Sequence, residues 1–594
     1  MSSSMRKMML PRRRLSTLMT CLLVASTVYL IALWNGAVSV SGVGRGASDA
    51  DVAPWIAQHN RKVSDDRNLD DGIVMLDDEP FSTENSGIFA TEDSNGVDLA
   101  QIQLLDFLNG EENMFVKDKE SLFGGSLENP FSLKQAWSTS HAYALGIRSN
   151  AYNRTDFIEM GRRARALHIA YRILHDHPNL HDTLVSHSTP LFNQASDSKS
   201  TKRAKFEQQL HAIIDDLTRL MYPWLVQSRF KSLHALQRHF RENTPTKDER
   251  GIIYSTGRGH FELAVHAIQS LRTILKSDLP IEVHHMGPND LDADMIKAFN
   301  AMPGVMTVDV WDYWGEEARQ LGGWAIKPFA LLASRFTKVM FIDADSVFVQ
   351  DPDVLFSKSE IFEKYGQLFY HDRTITGYDW CYNWFNGFVP YVSHYANSLR
   401  FQSKNTVHEQ ESGVVVIDKS RTEVLHGLLT TCRMNMKVER DGVTYKKMHG
   451  DKESYWMSWE LARVPYKFSP SYGGTIGYKN DKGAVCGGLF HTDEYLQPLW
   501  WNGGVVANKH VKKTEGLLKY EFAAYDLEGK DIEWEWETTT TPFCLKPKFP
   551  GQKVVVMELS DSDKRVTRKL VRLYSEIIEE GWRQYFRDEF GLQL

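Results

Sequence analysis

The chain has 594 residues, 42% hydrophobic, 24% charged and 12% aromatic, with 40 Gly and 20 Pro, which excludes a small disulfide scaffold, a wholly disordered chain and a collagenous or coiled-coil protein. Its net charge of −7 argues against a nucleic-acid-coating protein, which needs a basic excess. The average hides a polarity: Arg6, Lys7, Arg12, Arg13 and Arg14 fall in the first fourteen residues with no acid, leaving −12 for the rest.

Leu15 to Trp34 is an uncharged run of twenty residues, and a helix of that length spans roughly 30 Å, the thickness of a hydrocarbon core. Five cations before it and none after it until Arg45 predict a cytosolic tail at 1–14, a single type II anchor at 15–34 and a remainder on the far side of the membrane. A cleaved signal peptide is the competing reading, but the apolar run exceeds the usual length of about 7 to 15 residues. Between Gly46 and Ala100 thirteen acids face three bases, so residues 35–129 read as a solvated stem. Helical periodicity over Asp156 to His175, Lys202 to Leu225 and Lys231 to Phe240 predicts a helical subdomain at 130–248, with Ala164, Ala166, Leu167, Ala170 and Leu174 on one apolar face. Asn153-Arg154-Thr155 is the one N-x-S/T sequon. Cys381, Cys432, Cys486 and Cys544 lie beyond the anchor and allow two disulfides in three pairings, or buried thiols.

From Gly251 apolar runs alternate with amphipathic stretches, the pattern of an α/β domain with a mainly parallel sheet. Strands are predicted at Ile252 to Ser255, Ile281 to His285, Met306 to Trp311, Val339 to Ile342 and Val414 to Ile417. Between them, helices are predicted over Phe261 to Lys276, with Gln269 facing outward, and over Ala325 to Phe336. Residues 249–505 form this unit, and 506–594 a β-rich extension ending in a helix with Val566, Leu570, Leu573 and Ile577 at packing intervals.

The strongest chemical signal is Asp343-Ala344-Asp345 after an apolar strand. Acids at i and i+2 there bring two hard oxygen donors to the edge where open α/β sheets bind ligands, fit to hold a divalent ion against a diphosphate. Taken alone, the tripeptide is more often a pair of solvated loop acids. Thr256, Gly257 and Arg258 follow the first strand, where glycine admits close backbone approach and the next helix offers free N–H groups to an anion. Lys327, in the first turn of its helix, is placed either to reach a phosphate or to sit on the surface. Glu411 at a strand start and Asp451 at a helix start are candidate carboxylates for sugar hydroxyls or a developing cation, with helix capping the plain alternative for Asp451. His491 is a candidate third ligand suited to manganese, and Trp500 and Trp501 are candidates for stacking on a sugar face.

The ordered segments YSTGRGHFELAVHAIQSLR, LPIEV, WAIKPFALLASRF, VMFIDADSVFVQDP, QESGVVVIDK, HGDKESYW and LFHTDEYLQPLWWN resemble the fungal Golgi α-1,3-mannosyltransferases, glycosyltransferase family 71. The resemblance covers roughly residues 250–505. It implies a GT-A nucleotide-sugar fold, a GDP-mannose donor, a mannose-containing acceptor glycan, manganese, retention at the anomeric carbon and a Golgi location with a lumenal catalytic domain. By position it implies Asp343 and Asp345 as metal-and-diphosphate acids, and Thr256, Gly257 and Arg258 on the nucleotide side. Similarity to glycogenin-like enzymes further implies His491 as third metal ligand and Lys327 facing the donor. Another donor or linkage within the same class is the nearest alternative. Asp343-Ala-Asp345 also resembles the first motif of haloacid-dehalogenase-like phosphohydrolases, but that motif belongs on the first strand of its domain, and three strands precede it here.

Overall fold

The computed structural model describes residues from Ala144 to Leu594, leaving out 145, 149, 179–180, 182–184, 186–197, 243–248, 376–379, 390–391, 508–515, 531, 536–541 and 548–553. The predicted tail, anchor and stem lie outside the described residues. Among the described residues no helix is long and apolar enough to cross a membrane.

The three predicted helices are present. Phe157–Tyr171 starts where the Asp156 carboxylate accepts the Glu159 N–H at 3.0 Å, a side-chain cap for an otherwise unpaired donor. It runs into a π-helical turn, Arg172–Asp176, and is followed by Lys199–Met221 and Leu233–Glu242. The apolar face of the first helix is buried, and so are Arg163, Arg165 and His168. The cause is packing on more than one side: Arg165 donates to the Leu461 carbonyl at 2.9 Å, at the end of helix Ser454–Ala462. One apolar core runs from Leu167 through Trp224 and Phe329 to Trp459, so these helices share the interior of the α/β region. Each large apolar side chain buried there contributes about 1.5–3 kcal/mol.

Strands β1 (Arg250–Ser255), β2 (Ile281–His285), β3 (Val305–Asp309), β4 (Lys338–Ile342), β6 (Gln367–His371) and β7 (Gln410–Asp418) form a sheet in the order β3-β2-β1-β4-β7-β6. Only β7 is reversed, antiparallel to both β4 and β6, so five of six strands share one direction, as predicted. Register places Tyr254 opposite Ile342 and Ile342 opposite Val414. The next positions, Ser255, Asp343 and Gly413, therefore meet at one edge of the sheet. The helix after β1 is α-helical over Phe261–Gln269 and π-helical over Ser270–Ile274. Gln269 is buried rather than outward-facing, on a helix that the carboxyl-terminal helix Asp561–Glu579 packs against; His266 Nε2 lies 2.9 Å from the Leu570 carbonyl. Beyond β3 the predicted strand ends early, Trp311 falling in a 3₁₀ turn.

A second sheet is antiparallel throughout. It contains β8 (Tyr472–Lys479), β9 (Val485–Thr492), β11 (Phe522–Asp526), β12 (Ile532–Glu535), β13 (Phe543–Pro547) and β14 (Val554–Glu558), in the order β12-β13-β9-β8-β11-β14. On its flank β10 (Pro498–Asn502) lies between β9 and the short β5 (Ser346–Phe348). The residues after 505 thus complete a sheet begun before it. Cys486 and Cys544, facing each other across β9 and β13, form a disulfide, while Cys381 and Cys432 are buried thiols.

Candidate active site

Asp343 and Asp345 stand at the carboxyl end of β4, where the sequence pattern put them. They are not the exposed acids a strand-end loop suggests: Asp345 is 6% exposed and the Asp343 side chain 20%. Backbone bonds hold the turn from two sides. The Asp343 N–H donates to the Gly413 carbonyl at 2.8 Å, and the Asp345 carbonyl accepts the N–H groups of Gly503 and Gly504 at 3.1 and 2.8 Å.

Lys327 is the cation of the site. It lies in the first turn of helix Ile326–Ala333 and is buried, its Nζ donating to Asp343 Oδ2 at 2.8 Å and standing 3.7 Å from Asp451 Oδ1 and 3.5 Å from Ser412 Oγ. Burial disfavours the ammonium, but Asp343, Asp451 and Glu411 together hold its pKa above the ordinary value. The acids move the other way. Burial raises Asp343, Lys327 opposes that, and the charge of Asp345 raises it further. Burial also raises Asp451. Asp451 is not a helix cap: it lies in the turn before Ser454–Ala462, and its Oδ2 is buried without a hydrogen-bond partner. Leaving such an atom unpaired costs about 1–3 kcal/mol. The turn depends on Gly450, whose φ of +66° is a left-handed conformation.

Glu411 differs from Asp451 in being fully engaged. Its Oε1 accepts the Gly413 N–H at 2.9 Å and Asn502 Nδ2 at 2.8 Å, and its Oε2 accepts Lys452 Nζ at 2.6 Å. Lys452 also donates to Asp372 at 2.8 Å. Burial pushes Asp372 up, yet Lys452, Arg373 and His408 carry it well below the usual carboxylate range. Next to it Glu409 receives Arg400 Nε at 3.1 Å, His371 Nδ1 at 2.7 Å and the Phe401 N–H at 2.8 Å. Burial opposes these partners, which still lower Glu409 to about 2.

The loop after β1 is at the same edge. Thr256 is buried, and Gly257 answers a close approach: a Cβ there would lie 2.2 Å from Asp290 Oδ1. Arg258 is half exposed, with Nη1 3.5 Å from Asp292 Oδ2, in a 3₁₀ turn ahead of helix Phe261–Gln269. That helix has no side-chain cap at its start.

Two expectations are corrected. His491 is fully buried in β9, stacked on Trp500 at 4.2 Å and edge-on to Tyr370 at 5.3 Å, with both ring nitrogens unpaired and its pKa driven far down by burial. Among the described residues no three His, Cys, Asp or Glu side chains are grouped to hold a metal ion, so His491 does not join Asp343 and Asp345. Trp500 and Trp501 are fully buried too. β10 is flanked by β9 and β5, and successive strand residues point to opposite faces, so one indole enters each neighbouring core.

The donor set still suits a hard cation. Two carboxylates crowded enough that one raises the other are relieved by a divalent ion, and such ions often take only one or two carboxylates, with substrate phosphates and water completing the shell. Sequence reasoning passed over Lys452 and Asn502, although both stand inside quoted segments, and over Asp372, which carries no local signal. A surface cleft lined by Glu249, Arg250, Lys276 and Asp278 lies at the opposite, amino-terminal edge of β1 and holds none of these groups.

Residues 249–496 match the family described as "Mannosyltransferase putative". Over that stretch, less than half of its length, the chain is similar to mannosyltransferases, among them alpha-1,3-mannosyltransferases of yeast. It is 27% identical over 224 residues to the alpha-1,3-mannosyltransferase MNT3 of Saccharomyces cerevisiae, covering 31% of this chain and 34% of the relative. With MNT2 of the same organism identity is 24% over 319 residues, 46% of this chain and 54% of the relative. With MNN1 it is 24% over 323 residues, covering 44% and 41%. The chain thus spans about half the length of such relatives or less. Among solved structures it is similar to the glycosyltransferase GlyE of Streptococcus pneumoniae (TM-score 0.22, 15% identity, 37% of this chain and 45% of that one). It is also similar to the galactosyltransferase LgtC (TM-score 0.24, 11% identity, 35% and 70%).

Proposed function

We propose that this chain transfers a mannosyl group from GDP-mannose to a mannose-containing acceptor glycan, forming an α-1,3 linkage with retention, in a GT-A arrangement on the lumenal side of the Golgi membrane behind the Leu15–Trp34 anchor. The observation that carries the reading is the Lys327–Asp343–Asp451 cluster at the shared edge of β1, β4 and β7, within the segment that matches mannosyltransferases. Asp343 and Asp345 would hold a divalent ion such as manganese, which neutralises charge on a diphosphate leaving group. Lys327 supplies a fixed positive charge beside them, and its two carboxylates hold it in place before any donor arrives. Thr256, Gly257 and Arg258 line the nucleotide side.

Transfer breaks the bond between the anomeric carbon and the phosphate oxygen, with the electron pair leaving on the diphosphate, and joins that carbon to the acceptor oxygen. In a same-face displacement the acceptor proton passes to the departing phosphate oxygen. In a double displacement a carboxylate attacks first and the acceptor then displaces it. Asp451 is the carboxylate available for that role, since its Oδ2 is unpaired whereas both Glu411 oxygens are bonded. A panel of nucleotide sugars with a mannobiose acceptor, followed by linkage analysis of the product, tests the reading. An α-1,3-linked mannose from GDP-mannose alone is the expected result. Transfer from another donor changes the substrate, and phosphate release from phosphomonoesters without transfer overturns the class. Azide added to Asp451→Ala gives a β-mannosyl azide if Asp451 is the nucleophile.

A further inference from the structure

We propose that Trp324 is the platform on which the acceptor sugar stacks, an assignment that rests on the transfer reading above. Trp324 is one of two aromatic side chains among the large hydrophobics exposed in the described residues, at 40%. The other, Tyr495, sits on the turn between β9 and β10 and bonds Glu360 and the Lys358 carbonyl.

Trp324 occupies the 3₁₀ turn Gly323–Ala325 that opens into the helix bearing Lys327. Its indole rests on the turn that carries Asp451: a Cβ at Gly450 would lie 2.7 Å from Trp324 Cε3. His449 flanks it at 5.2 Å and Tyr445 at 6.3 Å between ring centroids. The chain leading into Trp324 is uncrowded: a Cβ added at Gly322 or Gly323 would meet nothing within 4 Å beyond its chain neighbours. A pyranose presents an apolar C–H face and a rim of hydroxyls, so it needs one flat ring and, close by, a polar atom free to accept. The second requirement is met on the same turn by Asp451 Oδ2, buried and without a partner. A protein partner would call for a wider apolar patch than one indole among polar neighbours. The nucleotide side, in the loop after β1, belongs to other elements, which leaves this position to the acceptor.

The test uses the full-length chain with GDP and manganese present, and titrates α-mannobiose by calorimetry. Trp324→Ala is expected to weaken mannobiose binding by about tenfold and to raise the acceptor KM in parallel, while GDP affinity changes by less than about twofold. Trp324→Phe, which keeps a flat ring, should restore most of the loss. Unchanged mannobiose affinity in Trp324→Ala overturns the proposal, as does an equal weakening of GDP, which marks a structural role. If wild type transfers nothing from GDP-mannose, the proposed function fails on its own. The same titration with maltose and lactose then decides the platform: Trp324-dependent binding of either sustains it, and its absence overturns it.

Discussion

Two lysines, the buried Lys327 and the partly exposed Lys452, each lie between two carboxylates, and their surroundings are in opposite states. Around Lys452 every charge is answered: Asp372 and Glu411 accept at 2.8 and 2.6 Å, Glu411 also takes two further donors, and Asp372 is held well below the usual carboxylate range. Around Lys327 only Asp343 is close; Asp451 is at 3.7 Å with one oxygen unpaired, and both acids are pushed upward. A satisfied cluster fixes geometry. Here it fixes Gly413, whose N–H is bonded to Glu411 and whose carbonyl receives the Asp343 N–H. An unsatisfied one leaves a charge imbalance for a ligand to complete, the pattern of a functional site. The first positions the second.

The largest effect should come from removing the strand-end acids. Asp343→Asn or Asp345→Asn is expected to lower kcat by about a thousandfold, about 4 kcal/mol, with the thermal midpoint little changed in Asp345→Asn. Steady-state transfer and circular dichroism melts check both halves, and full transfer by either variant would remove these acids from the reaction. Lys452→Met comes next. It strands Asp372 and Glu411 as buried charges and should cost about 3–5 kcal/mol of stability, read from urea denaturation. Lys327→Met should cost clearly less, because burial already disfavours the charged forms of Asp343 and Asp451. Equal losses would erase the distinction between the two clusters.

Much of this was legible in local sequence, and the remainder fails for a common reason. An apolar strand ending in acids at i and i+2 places Asp343 and Asp345 at the sheet edge, though the tripeptide alone reads as readily as solvated loop acids, and a lysine in the first turn of the next-door helix marks Lys327 while leaving a surface role open. Partners from distant segments leave no local trace: Lys452 meets Asp372 across 80 positions, and Asn502 meets Glu411 across 91. His491 shows the opposite error, a residue right in its motif and wrong in its surroundings. Its neighbours are decided by the pairing of β9 with β10, which sets Trp500 against it. Trp500 and Trp501 read as a ligand surface until β5 and β9 are seen to enclose their strand, whereas Trp324, inside a quoted segment, gave no sign of its exposure.

A smaller contrast concerns one acid from each cluster. Asp451→Asn keeps shape and removes a buried charge, so stability should hold or rise while kcat falls by about a hundredfold. Glu411→Gln turns an amide toward the Lys452 ammonium and should cost about 1–3 kcal/mol, with activity falling only as far as the fold does. Measuring kcat and the urea midpoint for both variants separates them; the reverse pattern would exchange the roles assigned to the two carboxylates.

The smallest expected effect is in the pH dependence of stability, where the clusters should act with opposite sign. Asp343 and Asp451 carry raised pKa values, so folded protein binds more protons than unfolded chain. Their contribution is complete below the ordinary aspartate value of about 3.9 and is lost as the pH climbs through the raised values. Glu453, pushed up to about 8 by burial, adds to the same limb. Asp372 and Glu409 are depressed, the latter to about 2, so their contribution is present above about pH 4 and disappears as the pH falls toward those values. Stability of the protein without metal or donor should therefore peak on the acid side of neutrality. The double variant Asp343→Asn, Asp451→Asn should flatten part of the slope between about pH 4 and neutrality, with Glu453 keeping the rest, and leave the acid limb alone. Glu409→Gln should do the converse. Urea titrations across pH measure both limbs, and a neutral-side slope untouched by the double variant would mean that those two acids are ionised in the folded protein, which would return the Lys327 cluster to the same class as its satisfied neighbour.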